Sequence, residues 1–98
     1  MEYLFVYGTL RVPNIQQSVL GRVVTGTPDI LDGYGRSTIS AGIATYFILV
    51  EQASESVEGV VLEITQDELE RADRYETDAY RRFRVNLRSG KQVWVYGK

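Results

Sequence analysis

Apolar residues open the chain: residues 3–7, YLFVY, run without interruption into Gly8 and Thr9. A short aliphatic and aromatic run closed by a glycine predicts a first strand and its exit turn. Pro13 and Asn14 break the chain again. Residues 15–20 then carry Ile15 and Val19 four apart ahead of Gly21, the spacing and stop of a short helix. Residues 22–31 are rich in strand formers but are interrupted by Gly26 and Pro28, and Asp32, Gly33 and Gly35 predict turns before a short strand near residues 37–39. Residues 43–51 are apolar on both faces, so a strand there is expected to lie centrally in a sheet. Residues 57–64 alternate Val60, Leu62 and Ile64 against Val61 and Glu63, with Gly59 marking a bulge or tight bend. Residues 82–88 alternate Phe83, Val85 and Leu87 against Arg84, Asn86 and Arg88; Ser89 and Gly90 predict a hairpin turn, and residues 92–96 a last strand.

Between these strands one segment has a helical start signal. Thr65-Gln-Asp-Glu68 is a capping box, in which the Thr65 hydroxyl accepts from the Glu68 N–H while the Glu68 side chain reaches back. The helix is expected to continue to about Arg74. Strands outnumber helices and come in antiparallel-looking pairs. The pattern predicts an α+β fold, a curved sheet or small mixed or antiparallel β-barrel flanked by short helices, as a single domain over residues 1–98.

Composition narrows the chemistry more than the fold. With 44% hydrophobic and 24% charged residues the chain is globular rather than disordered. A net charge of −2 argues against a nucleic-acid surface, so Arg81, Arg82 and Arg84 read as a solvated strand edge. Cysteine is absent, which excludes a disulfide framework and a thiolate nucleophile. Histidine is absent too, which excludes Ser-His-Asp and Cys-His catalysis within the chain and removes the commonest transition-metal ligand. Any general base is therefore Asp, Glu, Tyr or Lys. The first residues lack a basic segment ahead of a long apolar run, and no stretch approaches the roughly 20 apolar residues that span a bilayer. A cytoplasmic protein without a membrane or nucleic-acid partner is expected.

Among the acidic residues Glu76 stands out. Leu69, Ala72 and residue 76 lie at i, i+3 and i+7, on one side of a helix, while Asp67, Glu70, Arg71, Asp73 and Arg74 take other faces and can stay solvated. Turned inward, Glu76 has its carboxylate disfavoured by desolvation and by the negative end of the helix dipole, as a base working near neutral pH requires. Turned outward, it is a helix-terminal glutamate in solvent or paired with Arg81 or Arg82. The stretch FVYGTLR has two readings as well. It is a strand exit capped by Thr9, or a nest of successive N–H groups that binds an anion, with Gly8 giving close approach and Arg11 attracting a carboxylate. Tyr7, Tyr75, Tyr80 and Tyr96 read first as amphipathic core residues, and Trp94 and Tyr96 share a strand face at the rim.

Taken as an ordered pair, FVYGTLR and DRYETDAYRRFRV (residues 73–85) resemble the gamma-glutamylcyclotransferase-like, or AIG2-like, family. Its pattern is a strand ending in Y-G-[ST]-L, a helix ending near L-D-x-[YF]-E, then Y-x-R and a strand. VLGRVVTG (residues 19–26) and VEGVVLEIT (residues 57–65) look like its connecting segments, so the resemblance spans nearly the whole chain. It departs at Ala72, where the family often has leucine, and in residues 38–51, which lack a Tyr-Pro pair common in relatives. The resemblance implies a small β-barrel with a pocket in which Tyr7, Gly8, Thr9 and Leu10 hold a γ-glutamyl group through backbone amides. It places Glu76 opposite as general acid/base, with Tyr80 and Tyr96 lining the pocket. The implied reaction is release of 5-oxoproline by attack of the substrate's own α-amine on its γ-carbonyl. That chemistry calls for a small-molecule γ-glutamyl substrate and for no cofactor, metal or protein nucleophile, in a monomer or homodimer. A non-catalytic domain that binds a small carboxylate or glutamyl ligand on the same loop is the alternative, and a protein-interaction module is a third class.

Overall fold

The computed structural model describes residues 1–41, 44–76 and 80–97. Five strands and two helices follow in the order β1 (Glu2–Val6), a 3-10 turn (Thr9–Arg11), α1 (Pro13–Leu20), β2 (Thr27–Ala41), β3 (Ala44–Ile64), α2 (Gln66–Glu76), β4 (Arg81–Asn86) and β5 (Gln92–Gly97). They form one mixed sheet of order β2-β3-β1-β5-β4, in which β1 and β5 run parallel and the other neighbours antiparallel. The expected α+β fold is observed as a curled half-barrel. Its two edges approach each other: the Arg88 N–H donates to the Ile30 carbonyl at 2.8 Å, and the Tyr34 and Phe83 rings lie 6.5 Å apart.

Strand alternation sends side chains to two apolar layers. Leu4, Val6, Leu62, Ile64 and Tyr96 face the helices, where they pack on Leu10, Leu20, Leu69 and Ala72. Phe5, Tyr7, Leu31, Val57, Val61, Val93 and Val95 fill the inside of the curl, with Phe83 and Val85 partly buried against them. Each fully buried aliphatic or aromatic side chain contributes about 1.5–3 kcal/mol, so these two layers supply the main drive for folding.

Several local expectations are corrected. Pro13 does not break the chain but opens α1, where its missing N–H is one that a first helical turn leaves unpaired anyway. Gly21 ends α1 as expected, in the left-handed region at φ 87°. The turns expected at Asp32, Gly33 and Gly35 lie inside one continuous strand, β2. Gly33, at φ 84°, sits in the register shift between Asp32 and Tyr34, where residues 52–55 of β3 stand opposite it, so the glycine lies in an irregularity of the strand pair rather than at a reversal. The strands expected at residues 43–51 and 57–64 are parts of one strand, β3; Ile43 lies outside the described residues. The part before residue 56 is not central, because β1 pairs only with residues 60–64 and Val50 is exposed. Gly59 is not a bulge, since the register runs through it unbroken. A Cβ there would meet the Phe5 ring at 2.7 Å, so Gly59 serves close approach.

Candidate active site

The capping box forms as read. The Thr65 N–H donates to Glu68 Oε1 at 2.8 Å and the Glu68 N–H donates to Thr65 Oγ1 at 3.1 Å. Arg22 adds a two-pronged pair at 2.6 and 3.0 Å. Together with the Thr65 bonds it outweighs burial and holds the Glu68 carboxyl down at about 2. This anchor fixes where α2 starts. Its eleven residues then carry the chain about 16 Å, which matches the roughly 16 Å of a five-residue strand. α2 starts beside the first residue of β1, because Glu2 pairs with Ile64. Its last turn therefore arrives beside the loop that leaves β1.

That juxtaposition unites the two sequence motifs. The hydroxyls of Thr9 and Tyr75 share a hydrogen bond of 2.8 Å between the loop and the last helical turn. The Tyr7 hydroxyl donates to the Tyr96 carbonyl at 2.6 Å, tying the adjacent ends of the parallel strands β1 and β5. Glu76 follows in the same turn as Tyr75, two residues beyond the expected reach of the helix and in phase with fully buried Leu69 and Ala72. It is half-buried, and burial pushes its carboxyl up from 4.5 to about 7. Among the described residues it has no hydrogen-bond or ion-pair partner. The expected pairing with Arg81 or Arg82 does not form: Arg82 goes to Asp73 instead.

The other candidates have distinct placements. Tyr7 and Tyr96 are buried and Tyr80 is half-buried. Burial raises the Tyr7 phenol, with Tyr80 and Glu76 adding to the effect; burial, Asp73 and Glu76 raise that of Tyr96. Both phenols thus stay neutral and lie within electrostatic reach of Glu76. Gly8 keeps a negative φ of −120°, and a Cβ built on it would meet nothing within 4 Å. Its backbone faces open space. The Thr9 side chain makes no cap to the 3-10 turn and bonds Tyr75 instead. In that turn the Arg11 and Val12 N–H groups donate to the Gly8 and Thr9 carbonyls, so the amides of residues 8–10 precede the turn's own bonds. The Leu10 side chain is buried in the helix-side layer. Its carbonyl accepts at 2.8 Å from Gln16, a buried amide whose oxygen accepts from the Val24 N–H at 2.9 Å, so the loop is pinned from beneath. Arg11 is exposed.

An open concavity of about 380 Å³ is lined by Asp73, Tyr80, Arg81, Arg82, Trp94 and Tyr96; among the described residues its lining includes two of the expected site tyrosines but neither Glu76 nor residues 7–10. Strand register builds its floor: Arg82 lies opposite Tyr96 and Arg84 opposite Trp94 on one face of the β4–β5 pair. Both guanidiniums stack on the Trp94 ring, at 4.2 and 4.3 Å, and the indole N–H donates to Glu2 at 3.0 Å.

A model of the family described as gamma-glutamyl cyclotransferase, AIG2-like, matches residues 4–98. The chain belongs to this family. AIG2-like protein C of Arabidopsis thaliana is 33% identical over 85 residues, which are 86% of this chain and 48% of that protein. The chain thus spans about half the length of the curated relative it matches. The solution structure of At3g28950.1 from Arabidopsis thaliana superposes with a TM-score of 0.82 at 27% identity, over 98% of this chain and 61% of that one. A solved gamma-glutamyl cyclotransferase has a TM-score of 0.76 at 14% identity, over 97% and 64% of the two chains; at that identity the likeness is one of fold.

Within this gamma-glutamyl cyclotransferase, AIG2-like domain, two residues escaped the sequence reading. Asp73 was expected in solvent but is half-buried, because Arg82 and the Tyr96 hydroxyl converge on it; the signal available was its i, i+3 spacing from Glu76. Arg36 donates to the Tyr7 carbonyl at 3.3 Å from beyond the Gly33 irregularity, a contact between distant strands that no local pattern carries.

Proposed function

We propose that the domain catalyses release of 5-oxoproline from a γ-glutamyl amide, with Glu76 as the general acid/base. The observation that carries this reading is a half-buried carboxyl raised to about 7 in the same helical turn that bonds the loop after β1. The substrate brings its own nucleophile. Glu76 takes a proton from the α-ammonium, and the freed amine attacks the γ-carbonyl carbon to close a five-membered ring. Glu76 then returns that proton to the leaving nitrogen as the carbon–nitrogen bond breaks, and the ring nitrogen passes its second proton through Glu76 to the released amine, giving neutral 5-oxoproline lactam and an ammonium product. Attack within one molecule removes much of the barrier, so positioning and one well-tuned proton carrier suffice. In this reading the Gly8, Thr9 and Leu10 amides and Tyr7 hold the glutamyl half, and Tyr80 and Tyr96 border the amine half. The chemistry as written draws on no cofactor.

The arginine-lined concavity suits an amine half that carries a carboxylate. Incubation with γ-glutamyl-alanine and with γ-glutamyl-ethylamine tests both levels: 5-oxoproline should appear, faster from the first. Glu76→Gln should lower kcat/KM by about 100-fold or more, and the wild-type kcat/KM should rise as pH increases through about 7. Turnover unchanged in Glu76→Gln would remove the mechanism. Thermal stabilisation by these compounds without any turnover would favour a non-catalytic glutamyl-binding domain.

A further inference from the structure

Asp73 and Glu76 stand three residues apart on α2, a spacing that puts side chains on one helix face about 5–6 Å apart at Cβ. A cation arriving from β4 can therefore serve either carboxylate. Arg82 serves Asp73: its Nε and Nη2 donate at 2.9 and 3.0 Å, and its guanidinium is stacked on Trp94. The Tyr96 hydroxyl donates to the same carboxylate at 2.6 Å. Burial opposes ionisation of Asp73, but these bonds overcome it and hold its carboxyl below the usual range. We propose that Asp73 is a positioning residue that captures the Arg82 guanidinium and the Tyr96 hydroxyl, and so keeps the β4 cation off the Glu76 carboxylate. Asp73 and Arg82 form a neutral pair beside Glu76, which leaves burial alone to set its affinity for a proton.

The groups facing Glu76 make the consequence specific. From β1 comes Tyr7 and from β5 Tyr96, both with raised phenols that stay neutral; Tyr80 approaches from the segment before β4. From β2, Arg36 is engaged with the Tyr7 carbonyl. Helix α1 carries no ionisable side chain, and Arg11 is exposed. Among the described residues the paired charges on this wall are those of Asp73 and Arg82, with exposed Arg81 of β4 beside them in the lining of the concavity. Removing Asp73 leaves an unpaired cation and lowers the Glu76 titration midpoint. Removing Arg82 leaves an unpaired anion and raises it. Removing both restores neutrality and the midpoint.

The role of Asp73 in catalysis rests on the cyclotransferase reading, but its effect on Glu76 does not, so the primary readout is independent of turnover. In protein with carbon-13-labelled glutamate, the Glu76 carboxyl resonance, assigned by its loss in Glu76→Gln, is titrated by NMR. The wild-type midpoint should lie near 7. Asp73→Asn should lower it by about one unit or more, Arg82→Gln should raise it, and the double variant should return to wild type. Shifts of the same sign in the two single variants, or no shift in either, overturn the proposal. Should Asp73→Asn fail to fold, Arg82→Gln decides alone: a midpoint that does not rise overturns it. With an active enzyme, the acid limb of kcat/KM should follow the same three shifts. The expected titrations without turnover in any variant would overturn the cyclotransferase reading and leave the positioning role standing.

Discussion

Glu76 ties the proposed catalysis to stability. Its folded value of about 7 lies above the ordinary 4.5. Below 4.5 the folded and unfolded chains both hold the proton; between the two values only the folded chain does, so the fold loses stability as pH rises and stays weakened above about 7. Glu76→Gln should match wild type in unfolding free energy near pH 4 and exceed it at pH 8, by about 2 kcal/mol or less, with a correspondingly higher Tm, given ~1.4 kcal/mol per pH unit and the screening of a half-buried group. Equal Tm values at pH 8 would mean that the carboxylate is solvated. Glu68 works in the opposite sense. Its contribution is present above 4.5 and lost as pH falls toward about 2. The inward phase of Glu76 was legible because Leu69 and Ala72 set the helix face. The capture of Arg82 by Asp73 was not, because it depends on where β4 returns, which spacing along α2 does not encode.

Among the elements, α2 and β3 do most to place the site. Thr65→Ala removes the acceptor for the Glu68 N–H and should lower stability by about 1 kcal/mol in denaturant unfolding. Gly59→Ala should lose about 1–3 kcal/mol. Its Cβ would lie 2.5 Å from the Val6 carbonyl, a backbone atom held by the sheet, which leaves little room for relaxation. A wild-type midpoint in Gly59→Ala would show that β1 can move aside. Both positions announced themselves in the sequence, the first correctly as a capping box and the second as an unusual glycine of the wrong kind. The β2–β3 pair was harder to read. Turn-forming residues at Asp32, Gly33 and Gly35 predict a reversal, yet pairing along Ala44–Ile64 carries β2 straight through as one strand with an irregularity. Long-range hydrogen bonding overrode local turn preference there, whereas the β4–β5 hairpin, with its short loop and clean alternation, was legible throughout.

Across the whole molecule, the class of fold followed from the count and pairing of strands, while the sheet order did not. Nothing local tells β1 that its neighbours are β3 and β5. That order has a consequence in time. β1 is synthesised before both of its partners in the sheet, Ile64 to Val60 on one side and Trp94 on the other. Until β5 has been synthesised, Leu4, Phe5 and Val6 have apolar surface on both faces and an open edge. Contacts so distant along the chain favour folding over milliseconds to seconds rather than microseconds. A chain stopped ahead of Gln92 should lack a cooperative thermal transition, and pulse-labelled hydrogen exchange on the full chain should show the amides of β1 and β5 gaining protection together. The parallel β1–β5 pair makes nascent β1 a client for whatever shields exposed strands in the cell, until Trp94 has joined the sheet.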